Sequence, residues 1–294
     1  MRQYPYPFQP RRISIGGHEL SYVDEGRGHA VLMVHGNPTW SFFYRNLIIS
    51  LRGRRRAIAL DHLGCGLSAK PQDYAYTLEN HIANLTAFVE ALGLDRISLV
   101  MHDWGGAIGM GFAGRCPEKI SSLTILNTGA FTSTHIPKRI SLCRLPGLGP
   151  LLLRGFNVFS RAALHMAVCR PLPPEVKAGY LAPYDSWHNR VAVNGFVRDI
   201  PMNPRHPSWP VLLGVEQNLS RLKHIPTQII WGGRDFCFND HFYREWRRRF
   251  PAAECCYLPA AGHYLLEDAF DEIAPLFHKF YDTLELNAPK IAPK

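Results

Sequence analysis

The sequence predicts an α/β protein: a mostly parallel sheet flanked by helices and interrupted once by a helical insertion. Short runs rich in Val, Ile and Leu alternate with amphipathic stretches, the pattern of buried parallel strands joined by helices. Across residues 132–222 that alternation stops, and the chain turns rich in Pro, Arg, Leu and aromatic residues. With 294 residues, 46% hydrophobic and 19% charged, the chain is long enough for a large core carrying an insertion and too apolar to be disordered or collagen-like.

In chain order, strands are expected at residues 20–24, 30–35, 56–60, 97–102, 121–127, 227–231 and 255–258, each a short apolar run bounded by turn residues. A helix is expected over 78–92, where Ile82, Leu85, Phe88, Val89 and Leu92 recur at helical spacing and Gly93 supplies a stop. Residues 132–222 then read as a helical cap domain, and residues 1–131 with 223–294 as the core to which the chain returns near Ile225. Ligands of open α/β sheets bind outside the carboxyl ends of the strands, so a cap emerging there would roof a site.

No run approaches the 18 or so apolar residues of a spanning helix, and the opening MRQYPYPFQPRR has no apolar stretch fit for a signal peptide, so a cytoplasmic location is expected. The seven cysteines are scattered without zinc-site spacing and read as reduced thiols. The net charge of +9 includes basic runs at 52–56 and 244–249. No nucleic-acid motif accompanies them, so a solvated basic surface is expected and nucleic acid is not an expected partner.

The chemistry begins at residues 99–107, Leu-Val-Met-His-Asp-Trp-Gly-Gly-Ala. A buried strand runs into a helix through a tight turn that Gly105 and Gly106 permit, and Asp103 stands at the apex, where a nucleophile elbow carries its nucleophile. Alternatively, Asp103 only caps the helix. Upstream, His35-Gly36-Asn37-Pro38-Thr39-Trp40 follows a strand where an oxyanion loop belongs; downstream, Trp231-Gly232-Gly233-Arg234-Asp235 and Ala260-Ala261-Gly262-His263 place a carboxylate and a histidine after two further strands. Nucleophile, acid, histidine is the α/β-hydrolase order.

On HGNPTW, LDHLGCGLS, HDWGGAIG, GGRD and AAGHYLLED, the chain resembles the haloalkane dehalogenases and their close relatives over about residues 16–284. The resemblance implies the α/β-hydrolase fold, a mostly parallel eight-stranded sheet with an inserted helical cap. It further implies Asp103 as nucleophile, His263 as base, Asp235 as its orienting acid, and Asn37 with Trp104 as the leaving-group and oxyanion pair. No metal and no cofactor is expected. One branch of the family carries its acid at the strand before the cap, but Leu126-Asn127-Thr128 offers no carboxylate. The combination here looks like the third branch, which includes enzymes resembling the β-lactone decarboxylases of olefin biosynthesis.

An aspartate suits this role. A serine displacing halide from an alkyl carbon would leave an ether that water cannot readily cleave, whereas an aspartate gives an ester. The carboxylate is already ionised near neutrality, so His263 is free to activate the water that opens the ester, with Asp235 fixing its tautomer. The indole N–H of Trp104 and the amide of Asn37 are uncharged donors suited to a halide, although packing and turn formation account for the same residues.

The expected reaction is therefore hydrolytic dehalogenation, giving alcohol, halide and a proton from a haloalkane and water. Decarboxylation of a long-chain β-lactone is the rival, suggested by HGNPTWSFFYR and by the cap stretch 183–190. Epoxide hydrolysis, with Tyr180 and Tyr184 as the proton donors, and a non-catalytic scaffold are minor alternatives. The substrate is expected to be a hydrophobic small molecule; homo-oligomerisation or assembly with other lipid-processing enzymes is left open. His62 and His102 read as structural. Residues 142–168, apolar but broken by Arg144, Arg154 and Arg161, read as a cap helix with a solvated basic face, with membrane or partner contact as the alternative.

Overall fold

Eight strands form one sheet in the computed structural model, which describes residues 4–133, 135 and 137–287. They are β1 (Arg11–Ile15), β2 (His18–Glu25), β3 (Ala30–Val34), β4 (Arg56–Leu60), β5 (Ile97–Asp103), β6 (Ile120–Thr128), β7 (Thr227–Gly232) and β8 (Glu254–Leu258). They lie side by side as β1-β2-β4-β3-β5-β6-β7-β8. β2 pairs antiparallel with β1 and β4, and the pairings from β4 to β8 are parallel. The seven strands expected from the residues are present. β1 was not expected, because it is an edge strand whose Arg11 and Arg12 face solvent and only Ile15 is buried, so it carries no apolar run.

The helices are α1 (Arg45–Leu51), α2 (Leu78–Ala91) and α3 (Trp104–Arg115); then, between β6 and β7, α4 (Lys138–Leu142), α5 (Leu148–Pro150), α6 (Val158–Met166), α7 (Pro174–Leu181), α8 (Val191–Arg198) and α9 (Trp209–Asn218); and finally α10 (Asp240–Arg249), α11 (Leu265–Asp268) and α12 (Phe270–Asn287). Side chains alternate across a strand, and the core divides accordingly. Leu32, Val34, Leu99, Met101 and Ile229 pack with α2, α3 and α10 on one face, while Val31, Met33, Val100 and Ile230 pack with α1 and α12 on the other. α2 starts where the Thr77 side chain accepts the Asn80 N–H, and Gly93, at φ 61°, follows its end.

Among the described residues no strand interrupts the stretch between β6 and β7. Its first helices stand over the carboxyl ends of the strands, but α9 packs against α2 and α3 of the core. We propose that the cap ends near residue 208 rather than 222, with α9 counted in the core. A buried cluster ties cap to core: Arg45 holds Glu267 through two hydrogen bonds of 2.5 and 2.8 Å, and the Tyr180 hydroxyl of α7 donates to the same carboxylate at 2.5 Å.

The basic run at 52–56 differs from the solvated surface expected. Arg55 is buried and pairs with Asp282 and Glu285, Arg56 pairs with Asp24, and Arg52 with Glu25, because α12 and β2 bring carboxylates alongside that the local sequence does not show. In the second run, Arg248 and Arg249 likewise pair with Glu245 and Glu216. The cysteines carry no disulfide.

Candidate active site

β5 delivers Asp103 directly into α3, at φ 53° and ψ −128°, a backbone conformation that non-glycine residues rarely hold. The close approach beneath it depends on glycine. A Cβ on Gly105 would strike the Val34 carbonyl, and one on Gly106 the Thr128 side chain. Met101, larger than an elbow usually admits at its first position, lies against Gly109, where the missing side chain leaves it room. The Thr128 hydroxyl donates to the Asp103 carbonyl and ties the elbow to β6. The Asp103 side chain makes no cap bond to the second or third residue of its helix, Gly105 or Gly106, so the capping alternative is not what the structure displays.

The Asp103 carboxylate has two unlike oxygens. Oδ1 accepts the Asn37 backbone N–H at 2.6 Å, and the backbone N–H of Trp104 also bonds to the carboxylate. Gly36 makes this possible, since a Cβ there would occupy the space of that carboxylate. Oδ2 lies 3.6 Å from His263 Nε2. His263 Nδ1 in turn donates to Asp235 Oδ2 at 2.7 Å, so its Nε2 is the lone-pair nitrogen when the ring is neutral. Asp235 is held by four donors: His263, the Asn127 side chain at 3.0 Å, and the backbone N–H groups of Cys237 at 2.6 Å and Phe238 at 3.0 Å. The Phe238 ring stacks on the His263 imidazole.

Burial raises the Asp103 carboxyl above the ordinary carboxylate range, against the opposing pull of His263 and of the Asn37 and Trp104 N–H groups. Burial also acts to lower His263, but the charge and hydrogen bond of Asp235 together with the charge of Asp103 outweigh it and raise the imidazole above its ordinary value.

These groups floor a cavity of ≈ 380 Å³ whose walls are almost wholly apolar, with Phe131, Phe159, Val197, Ile200 and Phe236 among them. Asn37, Asp103, Trp104 and His263 line it, and Asp235 stands behind His263. Trp104 packs against Phe196, and its indole N–H makes no hydrogen bond to the described residues. The Asn37 side-chain amide donates one N–H to the Val193 carbonyl of α8 at 3.2 Å, which fixes the orientation of the amide because that carbonyl can only accept.

The five residues singled out in the sequence therefore come together, and the two tyrosines do not. The Tyr180 hydroxyl is held by Glu267 and that of Tyr184 bonds to the Thr39 carbonyl; neither residue lines the cavity. His62 and His102 bond to the backbone carbonyls of His35 and His263. Among the described residues no group of three His, Cys, Asp or Glu is gathered as metal ligands would be. Sequence reasoning missed Gly36 as a spacer and Asn127 as a brace of Asp235. Asn127 was visible only as the uncharged residue at a strand end where some relatives carry an acid; at φ 28°, it also takes a conformation that asparagine tolerates better than most.

Comparisons with known proteins agree with this fold. A model of the alpha/beta hydrolase family matches residues 31–276. A cis-3-alkyl-4-alkyloxetan-2-one decarboxylase of Shewanella oneidensis is 43% identical over 98% of this chain and 92% of its own. Haloalkane dehalogenase 2 of Mycobacterium bovis is 32% identical over 92% of this chain and 93% of its own. The crystal structure of the haloalkane dehalogenase DatA from Agrobacterium tumefaciens superposes with a TM-score of 0.86 at 25% identity, covering 94% of this chain and 97% of that one.

Proposed function

The chain belongs to the alpha/beta hydrolase family, in the group of haloalkane dehalogenases and β-lactone decarboxylases, and from that premise we propose that it decarboxylates long-chain β-lactones at Asp103. The observation that carries the chemistry is the seating of that carboxylate, one oxygen cradled by backbone N–H groups and the other exposed to an apolar cavity beside His263. The lactone is preferred as substrate because the decarboxylase relative is 43% identical over nearly the whole chain, against 32% for the dehalogenase.

An oxetan-2-one is a β-lactone, and its ring strain makes the C–O bond to the alkyl carbon labile. Asp103 Oδ2 attacks that carbon; the carbon–oxygen bond breaks with its electron pair going to the released carboxylate. The N–H donors of Trp104 and Asn37 meet that charge. The bond from the carboxylate to the neighbouring carbon then breaks, its pair forms the alkene, and the alkyl–Oδ2 bond returns its pair to Asp103 as carbon dioxide leaves. No water and no net proton enters. Inversion on attack followed by anti elimination turns a cis lactone into a cis alkene. Asp235 holds His263 beside Oδ2, where its imidazolium form favours departure of Asp103 as a carboxylate.

The second reading, hydrolytic dehalogenation, is favoured by the unengaged indole N–H of Trp104. In that reading the alkyl ester cannot eliminate and must be hydrolysed. His263 then takes a proton from water, and the Asn37 N–H already at Oδ1, with the Trp104 N–H beside the carboxylate, meets the oxyanion that forms. Either reaction suits a cytoplasmic enzyme receiving a hydrophobic substrate from other lipid-processing enzymes. The test is to assay purified protein on a long-chain cis-β-lactone and a long-chain bromoalkane in ¹⁸O water. We expect fast carbon dioxide and alkene release from the lactone without label in Asp103, and slow bromide release with label there. Faster bromide than carbon dioxide release would install the second reading; label in Asp103 after lactone turnover would overturn the alkyl-ester route.

A further inference from the structure

We propose that the outer face of the cap, residues 142–158 with Trp187, is a docking surface for a lipid bilayer with anionic headgroups, through which an apolar substrate enters the cavity. Among the described residues, most of the large exposed apolar side chains fall in these stretches. Leu142, Leu145, Leu148 and Leu151 are each 40–50% exposed, and Phe156 is 64% exposed. The leucines follow one another at three-residue intervals along a run of short helical turns. Trp187, half exposed, stands over Arg154 next to Gly155 and continues the patch. Contiguous exposed apolar surface of this kind marks an interaction site rather than ordinary surface.

The patch is continuous with the site. Leu142 and Val158 line the cavity and are themselves 50% and 40% exposed, so they stand at its mouth. A substrate passing between membrane and cavity would cross apolar side chains without entering bulk water. Such an entry route serves Asp103 whichever of the two reactions it performs.

Charge identifies the occupant. Between Glu118 and Glu175 the sequence contains no Asp or Glu, yet it carries Arg139, Arg144, Arg154, Arg161 and Arg170. None of these five arginines has a carboxylate within ion-pair distance among the described residues, whereas all four arginines of the run 52–56 and two of the four in 244–249 are paired. Unpaired basic side chains in the same stretch as exposed apolar ones match an anionic interface. A second copy of the chain fits poorly, because a two-fold contact would set this predominantly basic surface, on which Asp185 is a lone acid beside Trp187, against itself.

The experiment is vesicle flotation of the full chain at low salt, on pure phosphatidylcholine and on phosphatidylcholine with about 30% phosphatidylglycerol. The wild type is expected to float with the anionic vesicles only and to detach at about 1 M salt, where the Debye length is about 3 Å. Leu145→Ser/Leu148→Ser/Phe156→Ser should lower the bound fraction about tenfold while leaving thermal unfolding and turnover of a short soluble substrate unchanged. Should the triple variant misfold, Arg144→Gln/Arg161→Gln removes charge without touching the apolar side chains and should also weaken flotation. Absence of wild-type flotation on anionic vesicles, or unchanged flotation of the variants, would overturn the proposal. So would a wild-type dimer, detected by sedimentation, that the triple variant splits into monomers in place of any vesicle binding.

Discussion

Asp103 and His263 titrate in each other's field, and the two candidate reactions ask different things of them. Lactone opening needs the Asp103 carboxylate ionised and tolerates an imidazolium beside it. Turnover of a bromoalkane needs, in addition, a neutral His263 to deprotonate water. Both groups are raised, Asp103 by burial and His263 by its two carboxylate neighbours over the opposing effect of burial. As pH falls, the imidazole, with its higher ordinary value, charges first and halts ester hydrolysis; only at lower pH does the carboxyl protonate and halt attack. The acid limb of bromide turnover is therefore expected at higher pH than the acid limb of carbon dioxide release in the same preparation. Coincident limbs would mean that one group governs both reactions. Asp103, His263, Asp235, Asn37 and Trp104 were legible in the sequence because each carries its chemistry in its own side chain and follows a strand's end. Asn127 was not, because its part consists of contacts with Gly232 and Asp235 more than a hundred residues away.

At the scale of elements, the site is set by how closely the β3 loop and the β5–α3 elbow approach. Gly36 stands between them with no room for a side chain, and its missing Cβ lets Asp103 Oδ1 reach the Asn37 N–H. Gly36→Ala is expected to push the carboxylate off that donor. By analogy with removing one oxyanion donor, it should lower turnover by about a hundred- to a thousandfold. Gly53→Ala, where a Cβ would meet open space, serves as the control and should leave turnover unchanged. Equal turnover in the two variants would mean that the loop yields to the added methyl group. Strands and α2 were legible because short apolar runs and period-3.6 spacing are written into the chain. The edge strand β1 and the short turns from 142 to 155 were not: the first buries too little to leave an apolar run, and the second were expected as one cap helix.

At the scale of the molecule, the roof is held by a buried charge. Arg45, Glu267 and Tyr180 join α1, α11 and α7, and both members of the ion pair are almost fully removed from solvent. Removing one member of such a pair leaves the other charged and unpaired, whereas replacing the whole set with apolar groups removes the cost along with the gain. Glu267→Ala is expected to lower stability by about 3 to 5 kcal/mol in urea unfolding. Arg45→Met/Glu267→Leu/Tyr180→Phe should recover most of that loss. A single variant as stable as the wild type, or a triple variant worse than the single, would show that the cluster is not what fastens the roof.

The sequence by itself determined the fold class, the order of the strands that carry the candidate site and the residue types at their ends, since local periodicity and side-chain chemistry are properties of short segments. It also carried the acid-free run of the cap in plain letters. Only the tertiary structure decided which charges are neutralised, which apolar residues stay exposed and which hydroxyls face the cavity. Arg55 and Leu145 illustrate the reason. The arginine sits in a basic run yet is buried against carboxylates of α12, and the leucine sits in an apolar run yet faces outward. Their environments depend on segments far away in the chain, and burial, unlike periodicity, has no local signature.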